Sequence, residues 1–120
     1  MSLEEMGHME EYSVIITPDA ENDLNELDDY ISIELQVPEI ASAYIAAIKQ
    51  ALSTLRTAPR RYRLIDDEPW HSRGVRRMNV KNFAAFYMVL DEYKEVYVQN
   101  IIYQKRDILK VLWDLDQTRE

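Results

Sequence analysis

Apolar positions along this chain follow two different periods, and the change from one to the other marks out the elements. Val14-Ile15-Ile16, within Tyr12 to Thr17, is a short β-branched run and predicts a strand. Thr17-Pro18-Asp19 then opens a helix. Thr17 can cap it, Pro18 suits its first position, and Asp19, Glu21 and Asp23 favour its positive end. Ala20, Leu24, Leu27, Ile31 and Leu35 recur every three or four residues and form one buried stripe. Asn22, Glu26 and Asp29 fall on the opposite, solvated face. Val37-Pro38 breaks this helix and Pro38 opens a second one. Its stripe is Ile40, Tyr44, Ala47, Ile48, Ala51 and Leu55, and Ala43, Ala46, Ala47 and Ala51 are expected to let the two helices approach closely. So short a connection makes the pair an antiparallel hairpin, which Pro59 ends.

Residues 59–72 are rich in Arg, Asp and Pro and read as a loop. Three strands follow, at about Val75–Val80, Phe83–Asp91 and Val96–Tyr103. Lys81-Asn82 is short enough for a tight hairpin, and Asn tolerates positive φ there. Phe83 to Leu90 is apolar on both faces, which predicts a central strand covered on both sides. Asp107 to about Leu115 predicts a last helix with Ile108, Leu109, Leu112 and Trp113 as its apolar side. The order is β-α-α-β-β-β-α. This is an α+β fold, an N-terminal strand and an antiparallel helical hairpin packed on a small twisted antiparallel sheet. Residues 12–115 form the single domain, 1–11 a disordered lead-in or cloning remnant, and 116–120 a tail.

With 120 residues the chain can bury one modest core without disulfides or a metal. It has no Cys, so a disulfide framework, a thiolate nucleophile and a Cys-ligated metal are excluded. His8 and His71 are too few for a typical zinc site. No metal or cofactor is expected. No apolar run approaches the roughly 20 residues that cross a bilayer, and the acidic N-terminus is not a signal peptide. A cytoplasmic protein with no membrane partner is the expectation.

The net charge of −8 hides an asymmetry. Residues 1–48 hold twelve acidic side chains and no Lys or Arg; residues 49–120 hold ten acidic and fourteen basic ones. Two surfaces with different partners are implied. Arg73, Arg76, Arg77 and Lys81 form one basic cluster, and Arg60, Arg61 and Arg63 with Tyr62 form another. Both are candidate phosphate or target contacts, weighed against salt bridging to the acidic helices and a solvated rim. Along one strand Arg73 and Arg77 share a parity, so Arg76 and Arg77 point to opposite faces. His71 is a candidate base, although a lone histidine is usually incidental. Trp70 and Trp113 read as anchors for packing or partner binding.

Arg73-Gly-Val-Arg-Arg, then Val80-Lys-Asn-Phe with Phe86-Tyr, then Tyr103-Gln-Lys-Arg-Asp107 resemble the C-terminal half of the RelE/ParE family of bacterial toxins. Thr17-Pro-Asp-Ala-Glu-Asn-Asp-Leu24 resembles the start of that family's first helix, so the resemblance spans Tyr12 to Trp113. It implies the same element order as the periodicity. It also implies a growth-arresting toxin neutralised by a co-expressed antitoxin, in a toxin–antitoxin hetero-oligomer.

RelE-like relatives cut mRNA on the ribosome without a metal; ParE-like relatives poison DNA gyrase. Cleavage needs a base for the 2′-hydroxyl, an acid for the leaving oxygen and cations for the phosphoryl charge. The resemblance assigns Arg106 and Lys105 to such a site, with Tyr103 as a possible acid but a poor base. Ala84 stands where RelE carries an arginine, and Leu112 or Trp113 where it carries a tyrosine. A chain at −8 is also poorly suited to tight RNA binding, which phosphate neutralisation dominates. The expectation is a ParE-like toxin acting on a protein such as gyrase. The alternatives are a RelE-like endoribonuclease on ribosome-bound mRNA and a degenerate, non-toxic member. The antitoxin is expected to dock as a strand or an amphipathic helix at Ile108, Leu112 and Trp113.

Overall fold

The computed structural model describes the backbone of residues 11–118 and the side chains of residues 11–114. The lead-in expected over 1–11, apart from Glu11, lies outside the described residues, as do residues 119–120 of the tail. The elements run β1 (Ser13–Ile16), α1 (Pro18–Asp29), α2 (Pro38–Ser53), β2 (Arg76–Val80), β3 (Phe83–Leu90), β4 (Glu95–Tyr103) and α3 (Lys105–Thr118). The expected order therefore holds, and the last helix begins earlier and runs further than its apolar pattern indicated. No helix among the described residues is long and apolar enough to cross a membrane.

Strand order across the sheet is β1-β4-β3-β2. The β2–β3–β4 meander is antiparallel, whereas β1 joins β4 in parallel, so the sheet is mixed. A parallel pair needs a crossover, and α1, α2 and the meander together supply it. Thr17 fixes the junction between layers. It caps α1 by accepting from Ala20 N, and its hydroxyl donates to Val98 O on β4 at 2.8 Å.

Ala20, Leu24, Leu27 and Ile31 are buried as one stripe, as the periodicity predicted. They meet Ala41, Ile48 and Leu52 of α2 and the inner face of the sheet, Met78, Ala85, Tyr87, Val96, Val98 and Ile101. The close-approach residue is Ala41; Ala43, Ala46 and Ala47 are exposed instead. α1 ends in a π-helical turn, Tyr30–Glu34, and Gln36 takes φ 58° before Pro38 starts α2. Val80 pairs with Phe83, so Lys81-Asn82 is the expected two-residue turn, though neither residue adopts a positive φ.

Val98 and Ile101 both face inward although they are an odd number of residues apart. The register shift in β4 opposite Phe86/Tyr87 makes this possible. Beyond Val98, β4 has outrun β1, which ends at Ile16, its partner there. Asp23 of α1 takes over from the missing strand, its Oδ2 accepting from Ile101 N at 2.8 Å. Among the described residues the helices cover one face of the sheet. Phe86, Met88 and Ile102 lie outside the core, so the expectation that β3 is covered on both sides does not hold.

The Tyr44 hydroxyl is buried with no hydrogen-bond partner among the described residues. Burial, reinforced by the nearby Asp107 carboxylate, pushes its pKa up to about 12. An unmade buried hydrogen bond costs about 1–3 kcal/mol, and removing the polar atom relieves it. Tyr44→Phe is expected to be neutral or to stabilise the fold by about 1 kcal/mol, read as an unchanged or raised midpoint in urea unfolding. A loss beyond that size would show that the hydroxyl has a partner.

Candidate functional site

The basic residues predicted to meet a target sort into two groups once their partners are located. Arg60 pairs with Asp91 in the β3–β4 turn, and Tyr12 donates to the same carboxylate at 2.8 Å. These bonds, from Arg60 first and Tyr12 next, hold Asp91 below the usual carboxylate pKa. Arg61 caps the end of the second helix, donating to the carbonyls of Thr54, Thr57 and Ala58 and to the Thr54 hydroxyl. Arg76 points to the inner face and donates to the carbonyls of Arg60 and Tyr62. Tyr87 donates to Pro59 O at 2.5 Å on the same loop. Arg60, Arg61 and Arg76 therefore fasten the 58–63 loop.

Arg77 occupies the opposite parity to Arg76, as expected, and lies over the Phe86 ring at 5.3 Å with its Nε donating to Asn79 Oδ1. Arg73 sits in the turn before β2, not on the strand, so its predicted parity with Arg77 does not apply. Arg63, Arg73 and Lys81 are exposed. The side chains left for a partner are thus Arg63, Arg73, Arg77 and Lys81 along the open side of β2.

The three residues assigned to cleavage lie at the end of β4 and in the first turn of α3. Tyr103 ends β4 among the carboxylates of α1. Burial first, then Glu26, raises its pKa, which makes it a weaker acid. Lys105 lies over the Tyr30 ring at 4.8 Å. Arg106 is exposed in the first turn of α3. His71 is exposed, its Nδ1 2.9 Å from Ile65 O.

Two surface features were only partly legible in the sequence. The first is a groove of about 820 Å³ on the uncovered sheet face. Arg77, Asn79, Phe86, Gln99, Asn100 and Ile102 lie beneath it, and the 63–70 loop with Trp70 forms its wall. The signal for it was the polar residues Asn79 on β2 and Gln99-Asn100 on β4. The second is α3. Ile108 is buried and Leu112 packs on the core, so Ile108 offers no docking surface. Leu109 (49 %) and Trp113 (64 %) are exposed on one face, spaced four apart, beside Arg106 and Lys110. Leu109 was read only as part of the helix's apolar side.

The sequence family described as the ParE toxin of the type II toxin–antitoxin system parDE matches residues 14–108. The chain belongs to the ParE toxin family. It is thus a type II toxin of the RelE/ParE superfamily. The match runs from β1 into the first turn of α3, so the exposed Leu109 and Trp113 lie beyond it. No curated protein sequence matches the chain. Two solved structures share the fold. One is the chromosomal ParDE toxin–antitoxin system of P. aeruginosa (TM-score 0.64, 24% identity, 78% of this chain and 97% of that one). The other is the RelBE2 toxin–antitoxin complex of Mycobacterium tuberculosis (TM-score 0.57, 21% identity, 78% and 99%). The fold that carries the ParE family match is the α+β arrangement described above.

Proposed function

We propose that this ParE-family chain arrests growth by binding a protein target, DNA gyrase being the first to test, and that a cognate antitoxin encoded beside it masks it. The observation that supports a non-cleaving toxin is that β3 carries no cation: Ala84 is buried where the RelE resemblance calls for an arginine. Tyr103 is turned toward the Glu26 side of α1, and Lys105 lies on Tyr30. Acid–base cleavage requires its groups within hydrogen-bonding reach of one phosphodiester. The net charge of −8 further disfavours a polyanionic substrate.

Antitoxin docking is proposed at the exposed face of α3, formed by Leu109 and Trp113 with Leu112 at its base. Arg106 and Lys110 flank that face, so an acidic amphipathic segment fits it. The two solved structures that share the fold, ParDE and RelBE2, are toxin–antitoxin systems.

Induction of the chain in a bacterial host, with and without the neighbouring gene, tests this reading. Growth arrest relieved by co-expression is the expected result. Unimpaired growth after confirmed expression would refute the toxin reading.

A further inference from the structure

We propose that the groove on the uncovered sheet face receives a segment of the toxin's protein target, and that it selects one whose charge changes sign along its length. This rests on the reading of the chain as a toxin that acts on a protein.

The groove is polarised along β2. At the β2–β3 turn its extension is lined by Arg77 and Lys81, with Asp107 the opposing charge. At the far end stand Asp66 and Asp67, and Asp23 lies on the α1 flank. Arg63 stands between, its carbonyl accepting from Arg77 N. From Val75 to Lys81 is about 20 Å of strand at ~3.3 Å per residue, so cationic and anionic ends are well separated. A nucleic-acid strand carries a negative charge at every nucleotide. Its phosphates would suit Arg77 and Lys81 but would meet Asp66 and Asp67. A protein segment with a cationic residue toward the loop and a carboxylate toward Lys81 satisfies both ends. Asn79, Gln99 and Asn100 each offer a donor and an acceptor, which match a peptide backbone.

The loop wall is built to hold one shape. His71 N bonds Asp67 O, Arg73 N bonds Pro69 O, Gly74 N bonds His71 O and Val75 N bonds Trp70 O. The Glu68 carboxylate accepts from both the backbone N and the hydroxyl of Ser72, which lowers its pKa. Gly74, at φ +79°, makes the turn back into β2. Trp70, 48 % exposed, is carried on this frame at the rim of the groove. A large aromatic already fixed in place loses little freedom on binding, and tryptophan is enriched among residues that dominate interfaces.

Charge reversal separates a protein segment from a nucleic acid because the two respond with opposite sign. The double variant D66K/D67K, the milder D66N/D67N and W70A are induced in the host, and each purified protein is checked by circular dichroism. On the proposal, D66K/D67K and W70A each raise survival on induction roughly tenfold or more, and D66N/D67N moves the same way by less. Wild-type protein shows no saturable binding to a labelled single-stranded RNA of about 12 nucleotides. Arrest that is unchanged or stronger in D66K/D67K, or tight RNA binding by the wild type, overturns the proposal while the toxin reading stands. A wild type that does not arrest growth refutes that reading, and this inference with it.

Discussion

Replacing Leu109 and Trp113 together by alanine is expected to weaken antitoxin binding by about a hundredfold or more while the toxin stays folded. Both side chains are largely exposed, so the free protein loses little packing when they are cut back. An interface would bury both. Truncating a dominant interface residue costs about 2 kcal/mol or more, and about 1.4 kcal/mol is a factor of ten in affinity. The two contacts share one helical face, so their effects are not simply additive. Ile108 is the internal control. It is buried at 1 % exposure, and its truncation should lower stability before it alters docking. Calorimetric titration with the cognate antitoxin decides the matter. An affinity unchanged in the Leu109/Trp113 double variant would place the antitoxin elsewhere.

Leu27→Ala should be the most damaging of the single core changes in α1, at a cost of about 2–5 kcal/mol. Leu27 is fully buried in the middle of the stripe that joins α1 to the sheet. Deleting it leaves a cavity walled by α2 and β4 that cannot collapse without moving both. A domain of this size shifts by roughly 3–6 °C in Tm per kcal/mol, so a fall of about 6–30 °C is expected by calorimetry. With total stabilities of about 5–15 kcal/mol, this is a large share of the fold. A cost below about 1 kcal/mol would mean that α1 is not seated on the sheet by this stripe.

The stripe itself was legible because helical spacing repeats over about three turns, from Ala20 to Ile31. The meander was legible because its strands are separated by two short polar turns. The parallel pairing of β1 was not, since four residues, Ser13–Ile16, do not specify which edge they join. Nor was the shift within β4, where Asp23 supplies the acceptor that a neighbouring strand would have given Ile101 N. The site was read less well than the fold because a cation's role depends on what folds against it. Arg60, Arg61, Arg63 and Arg76 are alike in sequence. Only the path of the 58–63 loop turns three of them into fasteners and leaves Arg63 at the groove. Apolar residues mislead in a similar way at α3: Ile108 and Leu109 are neighbours in the chain, yet one completes the core and the other faces solvent.

The central claim is that this ParE-family toxin acts on a protein and not by cutting RNA. Its most direct test pairs two readouts on the wild-type chain and Arg106→Ala. One is gyrase supercoiling with purified proteins, with and without antitoxin; the other is primer extension on a reporter mRNA after induction. The account predicts inhibited supercoiling that the antitoxin relieves, with intact mRNA in both proteins. Codon-phased cuts in the mRNA that disappear in Arg106→Ala, with supercoiling unaffected, would contradict it.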